Sequence, residues 1–102
     1  GCNPYLVTAA LIAAGLDGVD NKRDPGEPLN VNHYTADLTS MDVDVLPQSL
    51  DRALDALEKD TLFAETLGKG IVDEFVRIKR MEWTDYMRHV SDWEVDRYLE
   101  FF

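Results

Sequence analysis

One apolar stretch near the start of the sequence limits the possible folds more than any other feature. From Tyr5 to Leu16 the residues are almost all apolar, and Thr8 is the only polar interruption. Asn3 can cap a helix here, and Pro4 suits its first position, where a missing N–H costs nothing. A helix without a polar face has to be covered on all sides. The rest of the chain, about 90 residues, is too short to cover it and bury its own apolar surface as well.

We therefore predict a buried helix at residues 1–18, with Gly15 or Gly18 as its C-terminal stop. The apolar run is shorter than the roughly 20 residues that a membrane span requires. No Lys or Arg precedes Lys22, although a secretory signal would need one. The sequence also lacks an initiator Met. We expect neither a signal peptide nor a membrane helix, and we expect the chain to be part of something larger.

The charge of the chain argues against several classes of partner. The sequence has 20 Asp and Glu residues and 10 Lys and Arg residues, so its formal net charge is −10 at pH 7. DNA, RNA and anionic membranes favour clustered positive charge, so none of them is an expected partner. The apolar share of 45% indicates a folded protein. A single Cys rules out an internal disulfide framework and agrees with a reducing compartment, so we expect a cytoplasmic protein.

The rest of the chain divides into a loop at residues 19–47 and a helical part at residues 48–102. The loop contains Pro25, Pro28 and Pro47, and it shows at most a short helical turn near residues 40–45. The predicted helix boundaries after it are a cap at Ser49, a cap at Asp60, a stop at Gly68, a long helix from about Ile71 to His89, and a capping box of Ser91 and Glu94. The predicted fold is mainly α, with a long loop, about five helices and little or no sheet.

The long helix has an apolar stripe and a charged face. The stripe consists of Val72, Phe75, Val76, Trp83, Tyr86, Met87 and Val90. The residues predicted to face water are Asp73, Glu74, Arg77, Lys79, Arg80 and Glu82. Residues three and four positions apart are neighbours on a helix. We therefore interpret the basic cluster of Arg77, Lys79 and Arg80 as a solvated face with local ion pairs.

Familiar catalytic and metal-binding patterns do not occur in the sequence. His33 and His89 are far apart, and neither has a further ligand at zinc-site spacing. Asp17, Asp20 and Asp24 do not form a calcium loop, because apolar and basic residues fall where oxygen ligands should be. We therefore predict no metal site in this chain.

Two side chains in the first half are candidates for other chemistry. Cys2 has no neighbouring base in the sequence, so we interpret it as a packing residue rather than a nucleophile. Tyr34 lies in the middle of the loop, where a tyrosine has no obvious role in a core. We expect the Tyr34 side chain to be exposed.

A series of short motifs resembles the C-terminal region of glutamine synthetase. The motifs are Asn3-Pro4-Tyr5-Leu6, the run from Ala9 to Gly18, Asn21-Lys22, Asp24-Pro25-Gly26-Glu27-Pro28, Leu46-Pro47-Gln48-Ser49-Leu50, the run from Ala53 to Leu57, Phe75-Val76, Lys79-Arg80 and Glu82-Trp83. The resemblance covers essentially the whole chain. The ending from His89 to Leu99 is similar to the type III and gamma-glutamylmethylamide synthetase branch.

This resemblance implies part of an ATP-dependent ligase that makes glutamine from glutamate and ammonia through a gamma-glutamyl phosphate. It implies ATP and Mg²⁺ or Mn²⁺ as cofactors, a homo-oligomeric ring, and the rest of the catalytic domain as the partner of this segment. The family's ligands for metal, ATP and glutamate lie upstream of the Asn-Pro-Tyr motif. The chain is thus predicted to contain no catalytic, cofactor-binding or metal-binding residue and to be inactive alone.

Tyr34 falls where some members of that family carry an adenylylated tyrosine, so the resemblance implies a modification site there. Residues 32–37 read NHYTAD, whereas the regulated members read closer to Asn-Leu-Tyr-Asp-Leu-Pro. The alternative for Tyr34 is a loop residue that packs against a neighbouring subunit.

Two further functions remain open at this point. One is a ligase that uses methylamine or a larger amine in place of ammonia. The other is a non-catalytic helical module that kept the family's tail as an interaction surface. The first helix argues against the hypothesis of a non-catalytic module, because an isolated module would need a polar face on that helix.

Overall fold

The computed structural model describes residues 2–32, 34–36 and 44–101. The chain divides into two compact units, unit 1 (Gly1–Pro47) and unit 2 (Gln48–Phe102). Within the described residues the secondary structure consists of five helices and no strand. They are α1 (Pro4–Asp20), α2 (Leu50–Lys59), α3 (Thr61–Leu67), α4 (Lys69–Arg88) and α5 (Asp92–Tyr98). The prediction of a mainly α fold is confirmed, while most of the helical turn predicted near residues 40–45 lies outside the described residues.

Helix α1 begins where the sequence predicts. The Asn3 side-chain oxygen accepts hydrogen bonds from the backbone N–H groups of Tyr5 and Leu6, at 3.0 and 3.2 Å. Pro4 occupies the first helical position. These contacts satisfy N–H groups that the first turn of a helix leaves without an internal partner. The start of α1 is therefore specified by residues next to it in the sequence.

The end of α1 differs from the prediction. The helix continues through Gly15 and Gly18 and ends at Asp20, so the prediction that one of these glycines stops it is wrong. The stop is Lys22, whose φ of 50° is left-handed, and the Arg23 N–H donates to the Gly18 carbonyl at 2.9 Å. This is the hydrogen bond of a Schellman motif, with lysine at the position that glycine usually takes. Because positive φ is uncommon in other residues, the sequence pointed to glycine instead.

Helix α1 buries almost none of its surface within unit 1. Ala13 is its one buried residue, whereas Tyr5 and Leu11 are 85% and 69% exposed. A helix that is apolar on all sides is normally found inside a larger core. The burial of α1 in a larger protein stays a prediction.

Unit 2 has a small apolar core to which α2 and α4 contribute. Leu54 of α2 is 2% exposed, and it lies in one cluster with the buried Val72 and Val76 of α4. Both α2 and α3 pack against α4. The half-buried apolar side chains around the core are Leu50, Leu57, Phe63, Leu67 and Phe75. The first half of the predicted apolar stripe is thus buried or half-buried in this core. In its second half, Tyr86 and Met87 near the end of α4 and Val90 beyond it are exposed.

The predicted caps of unit 2 are confirmed. The Ser49 hydroxyl accepts a backbone N–H of the first turn of α2 at 3.2 Å, and the Asp60 carboxylate does the same for α3 at 2.8 Å. Gly68 has a φ of 93° and separates α3 from α4. Ser91 and Glu94 form the predicted capping box at the start of α5. Short-range sequence signals therefore place the helix boundaries of this unit well.

Candidate functional site

The Arg80 cluster, which consists of Arg80, Asp51, Asp55 and Glu58, connects α2 with α4. The three acidic residues lie on one face of α2, because they are spaced four and three positions apart. The Arg80 guanidinium reaches them from α4. Its Nη2 donates to Glu58 Oε2 at 2.6 Å and to the Asp55 carboxylate, and its Nη1 donates to the carboxylate and backbone carbonyl of Asp51. One guanidinium therefore joins groups that are 22 to 29 residues away in the sequence.

The Arg80 cluster shifts the pKa values of its members. Hydrogen bonding from Arg80 lowers the pKa of Asp55, against an opposite effect of desolvation, and Lys59 adds a smaller attraction. Hydrogen bonds to Asp55 and Glu58 in turn raise the pKa of Arg80. The Arg80 side chain is 31% exposed, so solvent screens its charge only in part. The charged forms of Arg80 and Asp55 therefore stabilise each other.

The structure corrects one interpretation of the basic cluster on α4. Arg77 pairs with Glu74 and Lys79 pairs with Glu82, each three residues away on the same helix, as a solvated face predicts. Arg80 does not fit that description, because its partners lie on α2, and the prediction that it forms local ion pairs is wrong. Its side chain is 31% exposed, about as exposed as that of Lys79. The sequence signal that could have found its role was the row of acidic residues on α2, which needs a positive partner.

A groove with a volume of about 1230 Å³ lies between α2, α3 and α4. Its lining includes the apolar side chains of Leu57, Val72 and Val76. Several of its charged groups are engaged with each other, for example Lys69 with Asp73 at 2.7 Å. A small-molecule site usually combines an apolar pocket with a few converging polar groups that are free to bind. The groove is therefore a weaker candidate for ligand binding than its size alone suggests.

The described residues offer no metal centre. Within residues 2–32, 34–36 and 44–101, no group of three or more His, Cys, Asp and Glu side chains could hold a metal ion. Asp17 accepts hydrogen bonds from the side chains of Asn21 and Arg23, at 2.8 and 2.9 Å. Asp24 accepts the Gly26 N–H at 2.9 Å. These carboxylates hold the end of α1 and the following turn in shape.

Tyr34 and Cys2 are both exposed. The Tyr34 side chain is 100% exposed, as predicted, and its backbone N–H donates to the Asn32 side-chain oxygen at 3.1 Å. Cys2 is exposed too, so it does not act as a packing residue within unit 1. The neighbouring His33 lies outside the described residues. Modification of Tyr34 stays a prediction.

Two aromatic pairs lie near the end of the chain, and most of their side chains are exposed. Trp83 and Tyr86 have ring centroids 5.6 Å apart on α4, and Trp93 and Tyr98 meet edge to face at 6.1 Å around α5. Tyr86, Trp93, Tyr98 and Phe101 are all exposed. Apolar surface of this kind commonly marks a contact with another protein element. Across the described part of the chain, we find no helix with the length and hydropathy to cross a membrane.

Comparison with known proteins identifies relatives along nearly the whole chain. A family profile described as "Glutamine synthetase, catalytic domain" matches residues 1–98. The glutamate–methylamine ligase of Methyloversatilis universalis is 60% identical over 99% of this chain. The glutamine synthetases of Halobacterium salinarum and Thermus thermophilus are 45% and 42% identical, over 99% and 96% of the chain.

A solved structure is similar to the chain as well. It is described as "Apo GmaS without ligand", and it matches with a TM-score of 0.76 and 38% sequence identity. The match covers 96% of this chain and 23% of that structure. The chain likewise spans 23% of the length of each of the three relatives named above. The similarity therefore concerns about a quarter of each of these proteins.

Proposed function

We propose that this chain, which belongs to the glutamine synthetase family, is the helical C-terminal part of an ATP-dependent ligase that joins glutamate to a small amine or ammonia. The observation that carries the proposal is the 60% identity to a glutamate–methylamine ligase over 99% of the chain. The mainly α fold and its similarity to a solved structure of 38% identity support the same assignment.

Methylamine is the amine that we favour as the substrate of the whole ligase. The identity to the methylamine ligase is 60%, against 45% and 42% for the two glutamine synthetases. By the family resemblance, the residues that shape the amine pocket belong to another part of the ligase. The sequence identity thus supports methylamine only through common descent with the methylamine ligase. Ammonia is the competing substrate.

The role that we propose for this chain within the ligase is support of the catalytic domain. The exposed apolar residues of α1 need a cover, and unit 1 provides little for residues such as Tyr5 and Leu11. The curated relatives are about four times as long as this chain, because it spans 23% of each. We infer that other parts of the ligase cover α1.

The cofactors that we propose for the whole ligase are ATP and Mg²⁺ or Mn²⁺. Divalent ions neutralise the phosphate that passes from ATP to the glutamate carboxylate to form a gamma-glutamyl phosphate. The described residues do not fit this role, since no group of three or more potential ligands in them could hold a metal ion. By the family resemblance, the ligands for ATP and metal lie upstream of the Asn-Pro-Tyr motif, and on that ground we assign cofactor binding to other parts of the ligase.

The resemblance also leads us to propose that the whole ligase forms a homo-oligomeric ring in the cytoplasm.

The resemblance further leads us to propose a modification site at Tyr34. The full exposure of Tyr34 would leave its hydroxyl accessible to a modifying enzyme. The intact mass of the protein purified from nitrogen-rich and nitrogen-poor cultures tests this modification. An unchanged mass under both conditions, with Tyr34→Phe as the unmodified reference, would contradict it.

The main test measures glutamate-dependent ATP hydrolysis, with ammonia and methylamine in separate reactions. Two samples are compared, the protein expressed from its complete coding sequence and the 102-residue chain. We expect turnover by the complete protein, fastest with methylamine, and none by the chain alone. Turnover by the chain alone contradicts its supporting role. A complete protein without glutamate-dependent turnover contradicts the ligase and supports the non-catalytic module.

A further inference from the structure

The Arg80 cluster has a charge imbalance that simple surface ion pairs do not have. Three carboxylates, those of Asp51, Asp55 and Glu58, meet the single positive charge of Arg80. On α2 the carboxylates are neighbours at spacings of four and three residues, and like charges at such spacings destabilise a helix. Lys59 on α2 contributes only a minor attraction at Asp55. Arg52 is a further cation on α2, but Arg80 is the group whose guanidinium forms ion pairs with all three carboxylates.

The Arg80 cluster also differs from the other ion pairs of α4 in what it connects. Arg77 pairs with Glu74 and Lys69 pairs with Asp73, so both pairs lie within one helix and cannot attach one helix to another. Exposed pairs of that kind contribute little to stability. Lys79 and Glu82 also pair within α4, and the Lys79 side chain is as little exposed as that of Arg80, at 30% and 31%. The difference between Arg80 and these pairs is therefore the helix on which its partners lie. The planar guanidinium of Arg80 can also hold several carboxylate oxygens at once.

The core between α2 and α4 is small, and the Arg80 cluster adds ion pairs that cross from one helix to the other. The buried side chains of this core are Leu54, Val72 and Val76, which are 2%, 7% and 6% exposed. Folded domains are stable by a small margin, so one added interaction can change the population of an open state several-fold. We propose that Arg80 is a positioning residue that holds α2 on α4 by neutralising the acidic row of α2, and that α2 opens when this charge is lost.

The experiment measures hydrogen exchange of the α2 amides in the protein expressed from its complete coding sequence. Arg80→Met keeps most of the apolar stem of the side chain and removes the guanidinium. Arg77→Met is the matched control, because it removes the same group from an ion pair within α4. The rescue variant combines Arg80→Met with Asp55→Asn and Glu58→Gln, so that two of the three negative charges that Arg80 faces on α2 are also removed.

We expect Arg80→Met to speed exchange in α2 roughly fivefold, while Arg77→Met leaves it unchanged. The rescue variant should recover part of the protection. Added NaCl should speed α2 exchange in the original protein, where it screens attraction, and slow it in Arg80→Met, where it screens repulsion. Arg80→Lys keeps the positive charge but lacks the planar guanidinium. The α2 amides of this variant should exchange at an intermediate rate, and it gives a milder variant that still folds.

Two results would overturn the proposal. One is an α2 exchange rate in Arg80→Met equal to that in Arg77→Met. The other is faster exchange in Arg80→Met that neither the rescue substitutions nor salt reduces, because that outcome assigns the contact to packing of the side-chain stem. The proposal does not depend on the ligase assignment, since none of these readouts measures activity.

Discussion

Helices α1 and α2 begin in the same way and are surrounded very differently. Each starts with a polar side chain that accepts first-turn N–H groups, Asn3 for α1 and Ser49 for α2. Helix α2 then places Leu54 in a core and its acidic face against Arg80. Helix α1 leaves Leu11 and most of its other large side chains exposed within unit 1. Local signals thus specify where a helix forms, while its burial depends on a partner.

This difference has an energetic consequence for α1. Most of the stability of helices in proteins comes from packing an apolar face, and propensity alone gives marginal helices. α1 has 17 residues and good end contacts, but within unit 1 it buries only Ala13. We therefore expect α1 to be the less protected of the two helices in the isolated chain and to become stable in the complete protein.

The largest expected effect comes from truncating one leucine in each helix. In the 102-residue chain, Leu54→Ala should lower the free energy of unfolding of unit 2 by about 2–5 kcal/mol, because it leaves a cavity in a packed core. Leu11→Ala removes an exposed side chain and should change stability by less than about 0.5 kcal/mol. Urea unfolding followed by circular dichroism measures both values. Equal losses for the two variants would break the comparison between α1 and α2.

The same pair of variants sharpens the comparison in the complete protein. There we expect the loss from Leu11→Ala to rise into the range of about 2–5 kcal/mol, because α1 is then covered. Leu54→Ala should cost about as much as in the isolated chain. A loss from Leu11→Ala that stays near zero in the complete protein would show that α1 is not buried there.

A smaller effect is expected at the helix caps. Asn3→Ala and Ser49→Ala should each destabilise the first turn of their helix by about 1 kcal/mol, since each leaves N–H groups without a side-chain acceptor. Exchange of the first-turn amides measures this loss, and Asn3→Asp and Ser49→Asp keep the acceptor as controls. Similar losses of first-turn stability in α1 and α2 would support the view that a cap acts independently of how deeply its helix is buried. A loss confined to α2 would contradict that independence.

The smallest effect is the dependence of unit 2 on pH. Arg80 lowers the pKa of Asp55, and hydrogen bonds from Ser91 lower the pKa of Glu94. A carboxylate with a lowered pKa in the folded state adds stability above its ordinary pKa, and that stability is lost as pH falls through the lowered value. The urea midpoint of unit 2 should therefore fall as pH decreases below about 4. A smaller fall in Asp55→Asn is expected, and a midpoint that rises on acidification would contradict this account.

The sequence predicts the parts of the fold that depend on neighbouring residues. The caps at Asn3, Ser49 and Asp60 and the capping box at Ser91 were all identified from short motifs, because the donor and acceptor lie within three residues of each other. The mainly α class follows from these starts and from the periodicity between them. The predicted stop of α1 is wrong, because a left-handed Lys22 stops the helix. A lysine in the sequence does not predict a left-handed backbone.

The features that the sequence could not predict depend on residues far apart in the chain. The partners of Arg80 are 22 to 29 residues away, so the rules for ion pairs within a helix could not find them. The exposed second half of the apolar stripe shows the same limit of prediction from sequence. An apolar pattern identifies a surface that can be buried, but it does not identify the element that packs against it. The lack of catalytic residues in this chain was predicted from the absence of familiar motifs and from the resemblance, and it stays a prediction.

The most direct test of the central claim, that α1 is covered by other parts of a larger protein, uses the purified 102-residue chain. Binding of a fluorescent dye for apolar surface and the sedimentation of the chain are measured together, with Leu11→Glu as the comparison. We predict that the chain binds the dye and self-associates, and that Leu11→Glu reduces both. A monomeric, cooperatively unfolding chain without dye binding would contradict the claim.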